Sequence, residues 1–550
     1  MKVSILAAIL SALVAVVEGV PYKGISPKNG KPLPDLLYAS IDDLQEGMAA
    51  GTFSSVDLVK AYLGRIAEVN PLLHALIETN PDAVDLAAGL DDERANGTIR
   101  GPLHGIPIIV KDNVGTFDKM NTTAGSFAFL GAKLPRDSNV AKGLKAAGAI
   151  ILGKANLSQW ANHRGSNSTN GWTARGGQTW GAYFPMQDPS GSSSGSGVSS
   201  SIGLAAAAIG TETSGSIISP SQRNNLAGIK PSVGLTSRDL VIPISEDQDT
   251  VGPMARSIKD AAYVLSAIAG KTTFDNYTMN IPFDTIPDYA AGCLTTGLFK
   301  VKIGIPRNHI FNSSTTANTP EVAAFNKSIA VFKSLGAIIT ESADFPQYAE
   351  YRASSNSSLV NSIDFLKDLQ DYAGALTSNP NNVTDVPSLI TFTENFPAED
   401  YPDRNVNSWI TDVARGANGT VTRDSPSFQA ALAADLYLGA QATILGALEK
   451  YDLDALIMPS SMSPGVAAIA GYPIVTIPLG FYPANTTAVI NSRGTLYTAG
   501  PHFPFGISFL GRRFSEAQLV TFAYAFEQAT KVRETVTPMV VPNINLIDVM

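Results

Sequence analysis

The run GIPIIVKD, residues 105–112, sets an unbroken apolar segment between Gly105 and the charged pair Lys111-Asp112. A short apolar run bounded in this way reads as a strand buried on both faces. AIILGKAN (149–156) has the same form, and so do VKIGIPR (301–307) and DALIMPS (454–460). Between and around them lie helical patterns. SIDDLQEGMAAG (40–51) opens on Ser40 as an N-cap and closes at Gly51. SSVDLVKAYLGRIAEVN (54–70) takes Ser54 or Ser55 as its cap and aligns Val56, Val59, Leu63 and Ile66 on one face. The Ala-rich VSSSIGLAAAAIG (198–210) reads as helical, and EVAAFNKSIAVFKSLGAII (321–339) as a helix running into a strand. Alternating helices and buried strands predict an α/β fold with a largely parallel sheet. Residues 345–430 are richer in Asn, Asp, Ser and Pro. They read as a variable insertion of helical pieces and loops near the surface, either lining a site mouth or decorating the main domain.

The 550 residues are 44% hydrophobic and 16% charged, enough to bury a large core. The net charge of −9 comes with no basic stripe, which argues against a nucleic-acid partner. Lys2 precedes an apolar run from Ile5 to Val17, followed by small residues near Gly19, the pattern of a secretory signal peptide over residues 1–19. The mature domain would then be 20–550, secreted and free of the membrane, since no later stretch reads as a bilayer span. Eleven Asn-x-Ser/Thr sequons, among them Asn96, Asn121, Asn276, Asn312, Asn356, Asn418 and Asn485, suit passage through a glycosylating route. Cys293 is the sole cysteine and reads as buried filler. Neither metal-ligand spacing nor a phosphate-cradling loop is present, so the sequence predicts no cofactor. Oligomeric state is left open.

Two serine-rich turns carry the candidate chemistry. DPSGSSSGSG (188–197) contains Gly191-Ser192-Ser193-Ser194-Gly195, which fits a nucleophile elbow centred on Ser193. The preceding AYFPMQDPS is poor strand material, and nothing around His309 or His502 marks a triad. GTETSGSIIS (210–219) also clusters serines beside glycines, with no histidine near. A serine hydroxyl attacks poorly unless a base takes its proton. A lysine at the end of a buried strand could serve, because desolvation lowers its pKa and leaves it neutral. Lys111, Lys154 and Lys230 all satisfy that description, and periodicity does not separate them.

From about residue 40 to 530 the chain resembles the amidase signature family. HGIPIIVKDN (104–113), LKAAGAIILGKANLSQWA (144–161), SGSSSGS (190–196), GTETSGSIISPS (210–221) and AGIKPSVGLTSRDLVIPISEDQDTVGPMARS (227–257) follow one another in the family's order. GYPIVTIPLG (471–480) and FPFGISFLG (503–511) match its C-terminal motifs. The resemblance implies an α/β fold with a mixed, largely parallel twisted sheet sandwiched between helices. It also implies hydrolysis of a carboxylic amide through an acyl-enzyme, with Lys111 as base, Ser192 as bridging serine, commonly held by a cis peptide bond, and Ser216 as nucleophile. Backbone N–H groups of Thr213, Ser214, Gly215 and Ser216 would form the oxyanion hole, while Ser193 and Ser194 would hold the loop. Three departures stand out: Ser214 replaces the first glycine of the usual pair, Ser190 and Ser194 replace loop glycines, and Ile218 stands where an arginine is common. The last bears on substrate preference. The motifs lie nearest the branch of bacterial peptide amidases and related plant and fungal amidases, which implies a small-molecule or peptide amide, a peptide C-terminal amide foremost. The alternatives are an A-type subunit of glutamyl-tRNA amidotransferase, an inactive amidase-like binding protein, and a Ser193–His esterase of the α/β-hydrolase type.

Overall fold

The structure is a computed structural model that describes residues 32–316 and 318–550. The expected signal peptide, residues 1–19, lies outside the described residues. Eleven strands form one sheet: β1 (Leu76–Thr79), β2 (Pro107–Lys111), β3 (Ile150–Ala155), β4 (Ala207–Glu212), β5 (Ala227–Lys230), β6 (Thr250–Ala255), β7 (Lys302–Gly304), β8 (Ile338–Thr340), β9 (Ala455–Pro459), β10 (Ile474–Phe481) and β11 (Pro504–Leu510). Their order across the sheet is β1-β3-β2-β4-β6-β5-β10-β11-β9-β7-β8. The runs that read as buried strands are strands, and β2 and β3 are buried at every position.

The sheet is mixed, as the resemblance implies, but its parallel share is smaller than the alternation suggests. The parallel pairs are β3–β2, β2–β4, β9–β7 and β7–β8, and the remaining six are antiparallel. A parallel pair needs a long crossover connection, usually a helix. Where β6 returns between β4 and β5, the chain arrives by an irregular loop and runs antiparallel to both.

Helices α1 (Ile41–Ala49) and α2 (Ser55–Leu73) begin where their caps predict. Ser40 with Asp43, and Ser54 with Asp57, each make a reciprocal capping box. The buried face of α2 runs through Leu58, Val59, Tyr62, Ile66 and Val69, so Val56 and Leu63 sit at its margins. The Ala-rich segment corrects the helical expectation. Only Ser194–Ser201 is helix (α3), and Ala207–Glu212 is the central strand β4. Small side chains serve there because α3 lies directly on β4: Ser196 Oγ donates to the Ile209 carbonyl at 2.9 Å. Gly195 is required by a different close approach, to the backbone before β1, since a Cβ would stand 2.1 Å from the Ala75 carbonyl oxygen.

Residues 345–430 fold as successive helices, including α6 (Asn356–Ala375), α7 (Val386–Asn395) and α8 (Asn407–Arg415), after α5 (Thr319–Ser334) and short α4 (Ile218–Arg223). They do more than lie on the surface. Phe365, Leu369, Val386, Leu389 and Trp409 form a second core with Phe129, Leu134, Leu157 and Trp160 of the signature region. At its rim the fully buried Arg164–Glu399 ion pair (3.1 Å) is completed by Ser126, Phe127 N–H and Gln159, all donating to Glu399. The stretch Pro426–Lys450 corrects the reading that no later segment could span a bilayer. It is helical, long and apolar enough, but 56% of its most apolar window is buried inside the molecule.

Candidate active site

Strand pairing brings the candidate residues together. β2 and β4 are parallel neighbours, with Ile109 beside Ala208 and Val110 beside Ile209. Their C-terminal ends therefore lie at one edge, which is where ligands bind in open α/β sheets. Lys111 closes β2, and β4 runs into the turn 213–217 and then α4. The loop before α3 is bolted to the same edge. Ser193 Oγ donates to the Thr211 carbonyl (3.1 Å), and Thr211 N–H donates back to Ser193 Oγ (3.2 Å). Ser194 Oγ donates to the Ser190 carbonyl (2.6 Å).

The Lys111 ammonium nitrogen is fully buried and lies 2.8 Å from Ser192 Oγ. It also contacts Thr211 Oγ1 (2.9 Å) and the Thr211 carbonyl (3.2 Å). Asn113 Nδ2 donates to the same threonine hydroxyl. Burial lowers the Lys111 pKa to about 7, against the opposing pull of the Asp249 and Glu212 carboxylates. Lys154 and Lys230 are equally buried and lowered to about 8, again by desolvation. Their partners are different: Lys154 meets the Val114 carbonyl and Thr122, and Lys230 the Tyr472 and Pro231 carbonyls. Of the three lysines, Lys111 alone bonds a serine.

Ser192 follows a cis Gly191–Ser192 peptide bond and is fully buried. Ser216 is 9% exposed. Its carbonyl accepts from Ser193 N–H at 3.2 Å, which ties the two turns together beside Lys111. A Ser192–Ser216 hydroxyl bond is not among the hydrogen bonds of the described residues. Gly215 has φ +87°, a backbone region where a side chain is strained. Serine is accommodated at 214, which is exposed to solvent outside that region. Among the described residues, the N–H groups of Thr213, Ser214, Gly215 and Ser216 donate to no protein acceptor.

Two carboxylates grip this turn from its ends. Glu212 Oε2 accepts from Ile217 N–H (2.7 Å) and Ile218 N–H (2.9 Å). Asp249 accepts from the Thr213 hydroxyl and from Ile244 N–H (2.7 Å) and Ser245 N–H (3.1 Å). Glu212, Asp249, Thr211 and Asn113 escaped the sequence reading. They lie inside the quoted motifs, but nothing in their spacing says which way they face.

The esterase alternative fails on geometry. The Ser193 hydroxyl is engaged with the Thr211 backbone, His309 is buried against the Met462 carbonyl, and His502 is exposed. Cys293 is half-buried rather than buried, and burial pushes its thiol up to about 12.

Residues 57–520 match the family described as Amidase. The chain belongs to the amidase family. It is an amide hydrolase. An amidase-family protein of Arthroderma benhamiae is 47% identical over 533 residues, covering 93% of this chain and 88% of the relative. The solved structure of native peptide amidase from Stenotrophomonas maltophilia superimposes with a TM-score of 0.80 at 35% identity, covering 93% of this amidase and 100% of that chain. Similarity to the A-type subunit of the glutamyl-tRNA(Gln) amidotransferase of Chloroflexus aurantiacus is narrower: 35% identity over 311 residues, 56% of this amidase and 61% of the relative.

Proposed function

We propose that this amidase cleaves peptide C-terminal amides through a Lys111–Ser192–Ser216 relay and an acyl-enzyme, and that it acts outside the cell. The observation that carries the relay is the 2.8 Å contact between fully buried Lys111 and Ser192. Neutral Lys111 takes the Ser192 proton as Ser192 takes that of Ser216. The freed Ser216 oxygen attacks the amide carbon, and the oxyanion falls to the unengaged N–H groups of residues 213–216. Ser192 then protonates the departing nitrogen, the C–N bond breaks, and ammonia leaves. Water, deprotonated through the same relay, attacks the Ser216 ester and releases the acid.

The likeness to peptide amidase supports the substrate class. Ile218, fully buried two residues past Ser216, carries no charge where the family resemblance expects an arginine. The apolar run at Ile5–Val17 and the eleven sequons support export.

The test is a panel of peptide amides, aryl amides, fatty amides and esters, assayed with single variants. Ser216→Ala and Lys111→Ala are expected to lower kcat by about 10⁴-fold or more, with unchanged circular dichroism. Ser193→Ala is expected to keep most activity. Full activity in Lys111→Ala defeats the relay, and fatty amides turned over faster than peptide amides defeat the substrate class.

A further inference from the structure

Residues 381–396 build a groove that the amide chemistry does not use. It has a volume of about 530 Å³ and is lined by Asn382, Thr391, Phe392, Asn395 and Phe396, among others. Phe392 and Phe396 stack at 5.1 Å between ring centroids, and Phe127 packs on Phe396 at 5.2 Å. Phe396 is 37% exposed, so the groove presents an aromatic face to solvent with amide and hydroxyl groups around it. Asn382 in its wall opens an Asn-Val-Thr sequon. It sits in a turn at φ +52°, is exposed, and makes no side-chain hydrogen bond among the described residues. Val383 is buried and anchors the turn, while Thr384 is exposed. The sequon at Asn156 is unlike it. Asn156 is fully buried, with its amide nitrogen bonded to the His74 and Gly177 carbonyls and to Thr179, so the fold leaves no room for a sugar there.

We propose that Asn382 is an N-glycosylation site whose first sugar lies in this groove against Phe392 and Phe396. The proposal rests on the export reading above. Asn382 Nδ2 forms the bond to the anomeric carbon of an oligosaccharide donated by a lipid pyrophosphate. The sugar–phosphate C–O bond breaks, the lipid pyrophosphate leaves, and the amide loses one proton. An N-acetylated hexose suits the groove, because its C–H face covers an aromatic ring while its hydroxyl and acetamido N–H groups donate to the side-chain oxygens of Asn395 and Thr391, whose own donors go to the Thr391 and Pro387 carbonyls. A sugar tethered in the wall needs no free-ligand affinity, since the covalent link supplies a high local concentration.

The test expresses the full chain through a eukaryotic secretory route and maps glycopeptides by mass spectrometry. Exposed Asn485 is the control sequon. Asn382 is expected to be occupied. Asn382→Gln and Thr384→Ala are each expected to lower Tm by about 1–2 °C, and the loss is expected to vanish when Phe396→Ala is already present. Asn382 bare while Asn485 carries glycan overturns this proposal alone. A Tm loss that persists in the Phe396→Ala background overturns the groove contact. No glycan at any sequon overturns this proposal and the export reading together, and leaves amide hydrolysis untouched because that is read from purified enzyme.

Discussion

At Lys111 the desolvation that disfavours the ammonium leaves an amine that gives up its proton near pH 7, while Asp249 and Glu212 hold its pKa from falling further. The acid limb of kcat/KM against pH is therefore expected near pH 7, with activity rising as Lys111 loses its proton. Glu212→Gln separates charge from hydrogen bonding. The amide oxygen still accepts from Ile217 and Ile218 N–H, but the negative charge that raises the Lys111 pKa is gone. The limb is expected to move to lower pH in that variant, read from kcat/KM profiles on one peptide amide. Movement to higher pH would contradict the assigned electrostatics. The sequence made three lysines equivalent because each ends or interrupts a buried apolar run. What separates them is the partner each amine meets, Ser192 for Lys111 and backbone carbonyls for Lys230. For Lys111 that partner is placed by the loop before α3, which Ser193 pins to Thr211 at the end of β4, a tertiary contact that local sequence does not encode.

Helix α6 reaches the 213–217 turn through one loop. Ser245 Oγ donates to Asp364, Glu246 N–H donates to Asp368 at 2.8 Å, and Arg423 bridges Glu246 (2.9 Å), Asp364 (2.9 Å) and Asp368 (2.7 Å). The next residues of that loop lead to Asp249, which holds Thr213. Arg423→Gln is expected to loosen the loop and lower kcat about 10- to 100-fold, with KM changed far less, because misplaced donors weaken transition-state binding more than ground-state binding. An unchanged kcat would detach α6 from the site. The neighbouring Arg164–Glu399 pair tests the same region for stability. Glu399→Ala strands a buried guanidinium and is expected to cost about 3–5 kcal/mol in urea unfolding. The caps and apolar runs made α1, α2, β2, β3 and β9 legible from sequence, since local signals fix them. β4 reads as helix in sequence because alanines favour helix in isolation, and its pairing with β2 and β6 makes it strand. The 345–430 helices looked peripheral because their second core is shared with residues more than two hundred positions upstream, such as Phe129 and Trp160.

Over the whole molecule, buried ionisable groups tie stability to pH in two opposed windows. Burial raises Asp260 to about 6, Asp368 and Asp435 to about 7, and Glu527 to about 8. For these carboxyls the native state holds protons that the unfolded chain has released above its ordinary values of 3.8 for Asp and 4.5 for Glu. Stability contributed in this way is present at acid pH and lost as pH rises toward 8. The lysines act in the other sense. Lys111 at about 7, and Lys154 and Lys230 at about 8, are neutral in the fold where the unfolded chain protonates them up to 10.5. Their cost to stability fades as pH rises from about 7 toward 10. Tm is therefore expected to fall from pH 5 toward a shallow minimum near pH 8 and to recover above it. Under the proposed relay, activity is expected to rise across the lower window, because the relay needs the same Lys111 deprotonated. Glu527→Gln keeps an acceptor for Ile258 N–H, which now bonds Glu527 Oε1 at 3.0 Å, and removes the titration. Its Tm is expected to decline less between pH 5 and 8 than that of the parent. A parent Tm that climbs steadily through that interval would mean that the buried carboxyls shed their protons at ordinary pH and that the fold carries their charge.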